Sequence, residues 1–287
     1  MNQDLIAGEF SHLRGHIGVT DDGFSTGQVF MRVAQAVEVA FQVIFLESPN
    51  SLTFELQDLK AVAKLASINN IITIIDNSYA SPLNQSPISM GIDLVVHSAS
   101  KYLGGHSDIV AGVVCGSKKK IDKLMAEEFM TLGAIISPHD AWLMIRGLRT
   151  LELRVNRSSE SAMKVVEYLE KHPKIDKVLY PFASTNPQLN LATKQMKQGG
   201  GLLSIYIRAT KIEEIETFCN ALQRFLMAVS WGGYESLVLP ICALPLSGDK
   251  IDNPPPWNLV RLYIGLEDPE VLIKDIENAL SLLPNLT

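Results

Sequence analysis

The chain is poor in cysteine. Cys115, Cys219 and Cys242 stand far apart among 287 residues, with no Cys-x-x-Cys pair. An odd and scattered set builds no disulfide framework and fits reduced thiols in a cytosol. Positive charge is not in excess either: 25 Lys and Arg against 31 Asp and Glu leave a net charge of −6. That excludes the basic stripe of a sequence-independent nucleic-acid binder. No apolar run reaches the roughly 18 uncharged residues that span a bilayer. The start, Met1-Asn2-Gln3-Asp4, lacks the basic and apolar regions of a signal peptide. There is no Gly-x-Gly-x-x-Gly after a strand, no Walker-type loop and no serine elbow, and Gly199-Gly200-Gly201 lacks the context of a phosphate loop. His12 and His16 are four apart, but Gly15 separates them and no Glu-containing zinc motif surrounds them, so no metal is expected.

What the chain does have is a hydrophobic fraction of 47%, ordinary for a globular protein, and a length that suits one large domain or two modest ones. From residue 43 the pattern becomes regular. Val43-Ile44-Phe45-Leu46, Ile71 to Ile75, Asp93 to Val96 and Val110 to Cys115 read as buried strands. A helix with Leu56, Leu59, Val62, Ala63 and Ala66 inward is expected over 55–67. Fully apolar strands separated by a helix predict a mostly parallel sheet with both faces covered, where ligands gather at the carboxyl ends of the strands.

The second half reads as a smaller α+β unit beginning near residue 145. An arginine-rich helical run is expected from Trp142 to Arg157, and a separate helix over 159–171 started by a Ser158-Ser159 cap. Strands follow at Leu202 to Ile207 and Leu259 to Ile264, with a helix from Ile212 to Phe225. Asp268 caps a last helix with Pro269 at its first position. The polar, proline-rich segment from Pro245 to Pro256 reads as an exposed loop.

Three residues stand out for chemistry. Lys101 follows a buried strand between Ser98/Ser100 and Gly104-Gly105. Restricted hydration would make it a usable amine nucleophile; the plain alternative is a lysine reaching out to solvent. Asp76 ends an otherwise apolar strand, so its carboxylate needs a partner: a helix end, an arginine or a cationic ring nitrogen of a cofactor. Arg261 lies inside the apolar strand Leu259 to Ile264 and needs an anion, either a substrate carboxylate or a structural ion pair. Ser98 and Ser100 either donate to a phosphate or satisfy loop backbone. Tyr79 reads as packing at a strand end.

Together these residues spell a longer pattern. Asp76-Asn77-Ser78-Tyr79-Ala80, then Gly91 to Asp108 with Val96-His97-Ser98-Ala99-Ser100-Lys101-Tyr102 at its centre, resembles the cofactor-lysine signature of the transsulfuration enzymes. These are the Cys/Met-metabolism family of fold-type-I pyridoxal-phosphate enzymes. The likeness continues through Arg146 to Leu151, Ser230 to Leu237 and Arg261 to Asp268, and covers roughly residues 43–285. Glu47-Ser48-Pro49-Asn50-Ser51-Leu52-Thr53 and Ser230-Trp231-Gly232-Gly233-Tyr234 resemble the cystathionine β-lyase branch.

The resemblance implies an α/β architecture: a truncated, aminotransferase-like, mostly parallel sheet domain over 1–146 with 1–42 unmatched, then a C-terminal α+β domain over 147–287. It implies pyridoxal 5'-phosphate as cofactor. Lys101 would bond the cofactor and later move protons. Asp76 would pair with the ring nitrogen, and Ser98 and Ser100 would hold the phosphate. Arg261 would clamp the substrate α-carboxylate with Ser230 beside it. The implied reaction of methionine metabolism is α,β-elimination of L-cystathionine to homocysteine, pyruvate and ammonia, in a cytoplasmic homo-oligomer, dimer or tetramer. A γ-acting relative and an inactive paralogue or partner subunit are the alternatives. Family members also carry an N-terminal arm, a Gly-Met phosphate loop and a ring-stacking tyrosine. None of these matches residues 1–42, which implies weak cofactor binding and low turnover.

Overall fold

The apolar run after Gln42 becomes an inner strand. A computed structural model describes residues 16–18, 42–133, 135–244 and 255–284. Strand β1 (His16–Gly18) and strand β2 (Val43–Glu47) pair in parallel. Helix α1 (Leu59–Ile68) returns to strand β3 (Ile72–Asp76), and strands β4 (Leu94–Ser98) and β5 (Gly112–Gly116) complete the sheet in the order β1-β2-β3-β4-β5. The first four strands are parallel and β5 is antiparallel, so the expected mostly parallel sheet is present. Its two faces are not both covered among the described residues: Phe45, Ile72 and Val114 are 43%, 41% and 48% exposed. Ile44, Leu46, Ile75 and Val95 from the strands pack on Leu59, Val62 and Ala66 of α1. The α/β class expected from the sequence is the observed one.

Helix α1 starts later than its apolar spacing predicts. The Asp58 side chain accepts from Ala61 N and caps it. Before it, Leu56 N donates to Gln188 Oε1 at 2.9 Å, Gln57 N to Ser48 Oγ at 2.9 Å and Leu59 N to Gln195 Oε1 at 2.8 Å. These backbone groups are paired with distant side chains, so residues 55–58 have no need of a helical turn.

Helix α2 (Pro138–Leu148) and helix α3 (Leu151–Leu169) replace the two helical segments expected between 142 and 171. The break lies at 149–150, not at Ser158. Ser158 and Ser159 are buried within α3 and do not cap it. Ser158 Oγ donates to Ile264 O, and Ser159 Oγ to Gly199 O at 2.7 Å. Both serines tie the helix to the second sheet, an alternative to capping that sequence alone does not distinguish.

That sheet contains strand β6 (Ile175–Leu179), strand β7 (Leu202–Ile207), then helix α4 (Ile212–Ala221), strands β8 (Leu226–Met227), β9 (Leu237–Pro240) and β10 (Leu259–Tyr263), and helix α5 (Pro269–Ser281). Its order is β6-β7-β10-β9-β8, with β10 antiparallel to both neighbours. Val165, Leu203, Ile205, Phe218, Leu262 and Ile276 join it to α3, α4 and α5 in one buried cluster. Asp268 caps α5 through Glu270 N, as its sequence predicts. Helix α4 stops at Ala221, and Phe225 is buried beyond it. Residues 245–254 of the proline-rich segment, and His12, lie outside the described residues; His16 opens β1.

Asp93 joins β3 to β4. Its carboxylate accepts from Thr73 N and Thr73 Oγ1, both at 2.9 Å, and pairs with Lys120 Nζ at 2.7 Å. Burial works against the charged form, but the Lys120 and Thr73 bonds outweigh it and hold the Asp93 pKa below the ordinary carboxylate value. A lowered folded pKa contributes stability above the unfolded value and loses it as pH falls through the folded one. Asp93→Asn should therefore cost about 1–2 kcal/mol at neutral pH in urea unfolding. The gap between variant and parent should close as the solution is acidified; a gap constant down to low pH would contradict this.

Candidate functional site

The carboxyl ends of β2, β3 and β4 bring Glu47, Asp76 and Ser98 to one rim of the sheet, where a parallel sheet gathers its ligands. Lys101 stands in the turn just past β4, held by Lys101 N donating to Ser98 O at 3.0 Å. Its amine reaches across to the other half of the molecule: Lys101 Nζ donates to Ser230 Oγ at 2.8 Å and lies 5.6 Å from the centroid of the Trp231 ring. The two residues are 129 positions apart in sequence and adjacent in space.

Gly232 makes this approach possible. It has φ +87°, and a Cβ there would sit 2.9 Å from the Lys101 backbone. Any side chain at 232 would displace the lysine.

Lys101 is half-buried. Burial pushes its pKa below the ordinary lysine value, the Arg261 guanidinium pushes the same way, and Asp76 opposes both. The amine thus becomes neutral at lower pH than a surface lysine. The same field places Arg261 and Asp76 within electrostatic reach of Lys101, so the structure gathers Lys101, Asp76, Ser230 and Arg261 in one place.

Arg261 is 9% exposed on β10. Its Nη1 donates to Ser51 O at 3.2 Å and its Nη2 to Val229 O. Ser51 belongs to a loop shaped by Asn50, whose Oδ1 accepts from Leu52 N, Thr53 N and Phe54 N at 3.0, 2.7 and 2.9 Å. The guanidinium is therefore aimed by two carbonyls from separate segments.

Asp76 Oδ1 accepts from Ser78 N at 2.8 Å, which fixes the carboxylate at the strand end. Ser98 N donates to Ser78 Oγ at 2.6 Å. The Ser100 hydroxyl donates to Ala111 O at 3.3 Å and accepts from Ala111 N at 2.9 Å. It satisfies loop backbone here, one of the two roles open to it from sequence. Tyr79 is buried in the junction cluster, its hydroxyl donating to Leu202 O at 3.2 Å, which is the packing role expected of it.

Sequence reasoning passed over His97 and Trp231 as parts of the site. His97 is buried on β4; burial lowers its pKa, opposed by Asp76 and by a bond to the Asn77 backbone. A polar residue in the apolar run before Lys101 was the available signal. Among the described residues no cluster of His, Cys, Asp and Glu suits a metal ion, and no helix is long and apolar enough to cross a membrane.

A half-buried lysine past a parallel strand, a carboxylate at the neighbouring strand end and a buried arginine from a second sheet fit a class: α/β enzymes built around a lysine-bound aldehyde cofactor. The sequence model of the Cys/Met metabolism PLP-dependent enzyme family matches residues 10–281, and the chain belongs to that family. The match takes in most of the segment 1–42 that motif comparison leaves unmatched. An L-alanine/L-glutamate racemase of Wolbachia pipientis wMel is 38% identical over 255 residues, covering 88% of this chain and 63% of the racemase. An L-methionine gamma-lyase of Pseudomonas putida is 38% identical over 274 residues, covering 92% of this chain and 69% of the lyase. The crystal structure of metB from Corynebacterium glutamicum superposes with a TM-score of 0.83 at 36% identity, covering 88% of this chain and 66% of that one. The chain thus spans roughly two thirds of the length of these relatives.

Proposed function

We propose that this chain is a pyridoxal-phosphate-dependent carbon–sulfur lyase that cleaves L-cystathionine by α,β-elimination, giving homocysteine, pyruvate and ammonia. The observation that carries the reading is the convergence of Lys101, Asp76 and Arg261 at one rim, with the lysine amine held against Ser230 and Trp231. The donor set fits the cofactor: an amine of lowered proton affinity for an aldehyde, a fixed carboxylate for a ring nitrogen, and an arginine for an amino-acid carboxylate. When bound, pyridoxal phosphate supplies the aldehyde that captures the substrate amine and the ring that accepts the electron pair released at Cα.

The chain's own residues do the rest. Lys101 takes the Cα proton through its neutral Nζ and returns a proton to the departing group. Arg261 fixes the α-carboxylate so that the Cα–H bond faces Lys101, with Ser230 beside it. Asp76 keeps a proton on the ring nitrogen. Ser98 and Ser100 are assigned to the phosphate. No partner of the Ser98 hydroxyl is found among the described residues, whereas Ser100 would have to release Ala111. In this reading residues 1–146 hold the cofactor and 147–287 supply the carboxylate site.

A homo-oligomer in the cytosol is part of the proposal. Trp142, Ile145 and Leu153 are 59%, 55% and 72% exposed along α2 and α3, a patch that suits subunit contact. The scattered cysteines suit a reducing compartment, and all three are free.

A γ-acting reaction is the second reading, because relatives named cystathionine gamma-synthase and L-methionine gamma-lyase match as well as one named cystathionine beta-lyase. Product analysis with L-cystathionine decides. The β-reading expects pyruvate and homocysteine, and 2-oxobutyrate overturns it in favour of γ-cleavage. A D-amino acid from L-alanine would instead align the chain with the racemase. No product despite cofactor binding would make it a non-catalytic partner subunit.

A further inference from the structure

The residue after Lys101 is more tightly held than Lys101 itself. Tyr102 is 2% exposed. Its hydroxyl accepts from Gly201 N at 2.6 Å, and its carbonyl accepts from Arg154 Nη1 at 2.9 Å. Its ring meets Trp231 edge-on at 5.4 Å and Tyr263 at 6.2 Å. The same Trp231 ring faces Lys101 Nζ. Gly201 in turn accepts from Ile264 N at 2.8 Å, three residues beyond Arg261 on the same chain segment. One chain of bonds therefore runs from Lys101 through Tyr102 and Gly201 to the strand that carries Arg261.

The glycine run serves this connection. A Cβ at Gly200 would fall 2.6 Å from the Tyr102 hydroxyl, and one at Gly201 would fall 1.9 Å from Ser158 Oγ. Only backbone without side chains lets the tyrosines reach it. Tyr180 donates to Gly200 O at 2.9 Å and Tyr79 accepts from Gly200 N at 3.3 Å. These two brace the run from elsewhere in the chain; Tyr102 alone is peptide-bonded to Lys101.

We propose that Tyr102 is a positioning residue: its hydroxyl bond to Gly201 sets where the Lys101 amine stands against Ser230 and Arg261. The proposal rests on the reading that Lys101 performs the chemistry. Loss of the hydroxyl keeps the ring against Trp231 and Tyr263 but breaks the hydrogen bond that ties Tyr102 to the glycine run entering β7. The Lys101 amine then moves away from Ser230 and Trp231 and regains water. Arg261 and Asp76 are the charged groups that face it.

The test compares Tyr102→Phe with Tyr180→Phe. Both remove one buried tyrosine hydroxyl bond to the glycine run, so both lower the melting temperature. The first readout is acylation of Lys101 by an amine-selective acetylating reagent as a function of pH, in the chain without cofactor, quantified by peptide mass spectrometry. Tyr102→Phe should move the midpoint upward, toward an ordinary lysine, and Tyr180→Phe should leave it in place. The second readout is turnover with pyridoxal phosphate and L-cystathionine: Tyr102→Phe should lower kcat about tenfold or more with KM within about threefold. An unchanged midpoint in Tyr102→Phe, or an equal shift in Tyr180→Phe, overturns the proposal. If Tyr102→Phe fails to fold, Gly200→Ala pushes the hydroxyl aside while keeping it. Its midpoint must rise likewise, and an unmoved midpoint overturns the proposal too. Lys101→Ala separates the two ideas. If that variant turns over normally, the proposed function fails, while the acylation comparison in the other variants still reads the position of Lys101.

Discussion

Replacing Lys101 by alanine should abolish the yellow absorbance that pyridoxal phosphate acquires on bonding a protein amine, and lower turnover about 10³-fold or more. The expectation follows from geometry. Lys101 Nζ is the amine placed against Ser230 and Trp231, and the one whose proton affinity is lowered by burial and by Arg261. Two other lysines of the described residues serve structural ends. Lys120 pairs with Asp93, and Lys174 donates to Leu280 O and Leu283 O at the end of α5. Surface lysines also bond the aldehyde, but weakly and only at high cofactor concentration. The comparison is therefore a titration of both chains with cofactor, followed by borohydride reduction and peptide mapping. Equal absorbance in parent and variant, or a label on another lysine, would remove Lys101 from the centre of the site.

Replacing Arg261 by methionine should raise KM for an amino-acid substrate about 100-fold. A charged hydrogen-bond partner for a carboxylate contributes about 3 kcal/mol, and each 1.36 kcal/mol is tenfold. The side chain is already aimed by Ser51 O and Val229 O, so little ordering is left to the moment of binding. Arg261→Lys retains the charge but not the planar fork and should recover only part of the loss. The sharper measurement compares a substrate with its α-carboxamide. The parent should prefer the acid strongly, and Arg261→Met should treat the two alike. A preference that survives in Arg261→Met would place the carboxylate elsewhere.

The two residues also differ in what their loss does to the fold. The Lys101 side chain makes one hydrogen bond at a half-exposed rim, so its removal should leave the melting temperature nearly unchanged. Arg261 bridges the Asn50-shaped loop, the segment before Ser230 and β10, so its removal should lower stability as well as binding. Comparing variants at equal folded fraction keeps the two effects apart.

Much of the molecule could be read from sequence because its signals are local. Four apolar runs marked β2 to β5 to within a few residues, because an apolar run is a local signal, although it did not tell that Phe45, Ile72 and Val114 would stay exposed. Asp268 and Pro269 marked the start of α5 through capping, which needs only neighbouring residues. The start of α1 and the break between α2 and α3 were not legible. Gln188 and Gln195 hold the residues before α1, and Ile264 holds Ser158 inside α3; all three lie far away in sequence. A serine pair reads the same whether it caps a helix or bonds a distant carbonyl.

The site divides along the same line. The sequence by itself determined the residue types: a lysine after a buried strand, a carboxylate ending its neighbour, and an arginine in an apolar strand. Each is too costly in such surroundings to be there without a partner. Only the tertiary structure decided which partners they found. The junction between the segments after the first sheet's strands and the second sheet sets the Lys101 amine against Ser230 and lets Trp231 serve both Lys101 and Tyr102, while the loop after β4 turns the Ser100 hydroxyl to Ala111. Those contacts span more than a hundred residues in several cases. They depend on how the two halves meet, and that meeting is fixed by buried area and by glycine backbones that admit close approach, which no short stretch of sequence carries alone.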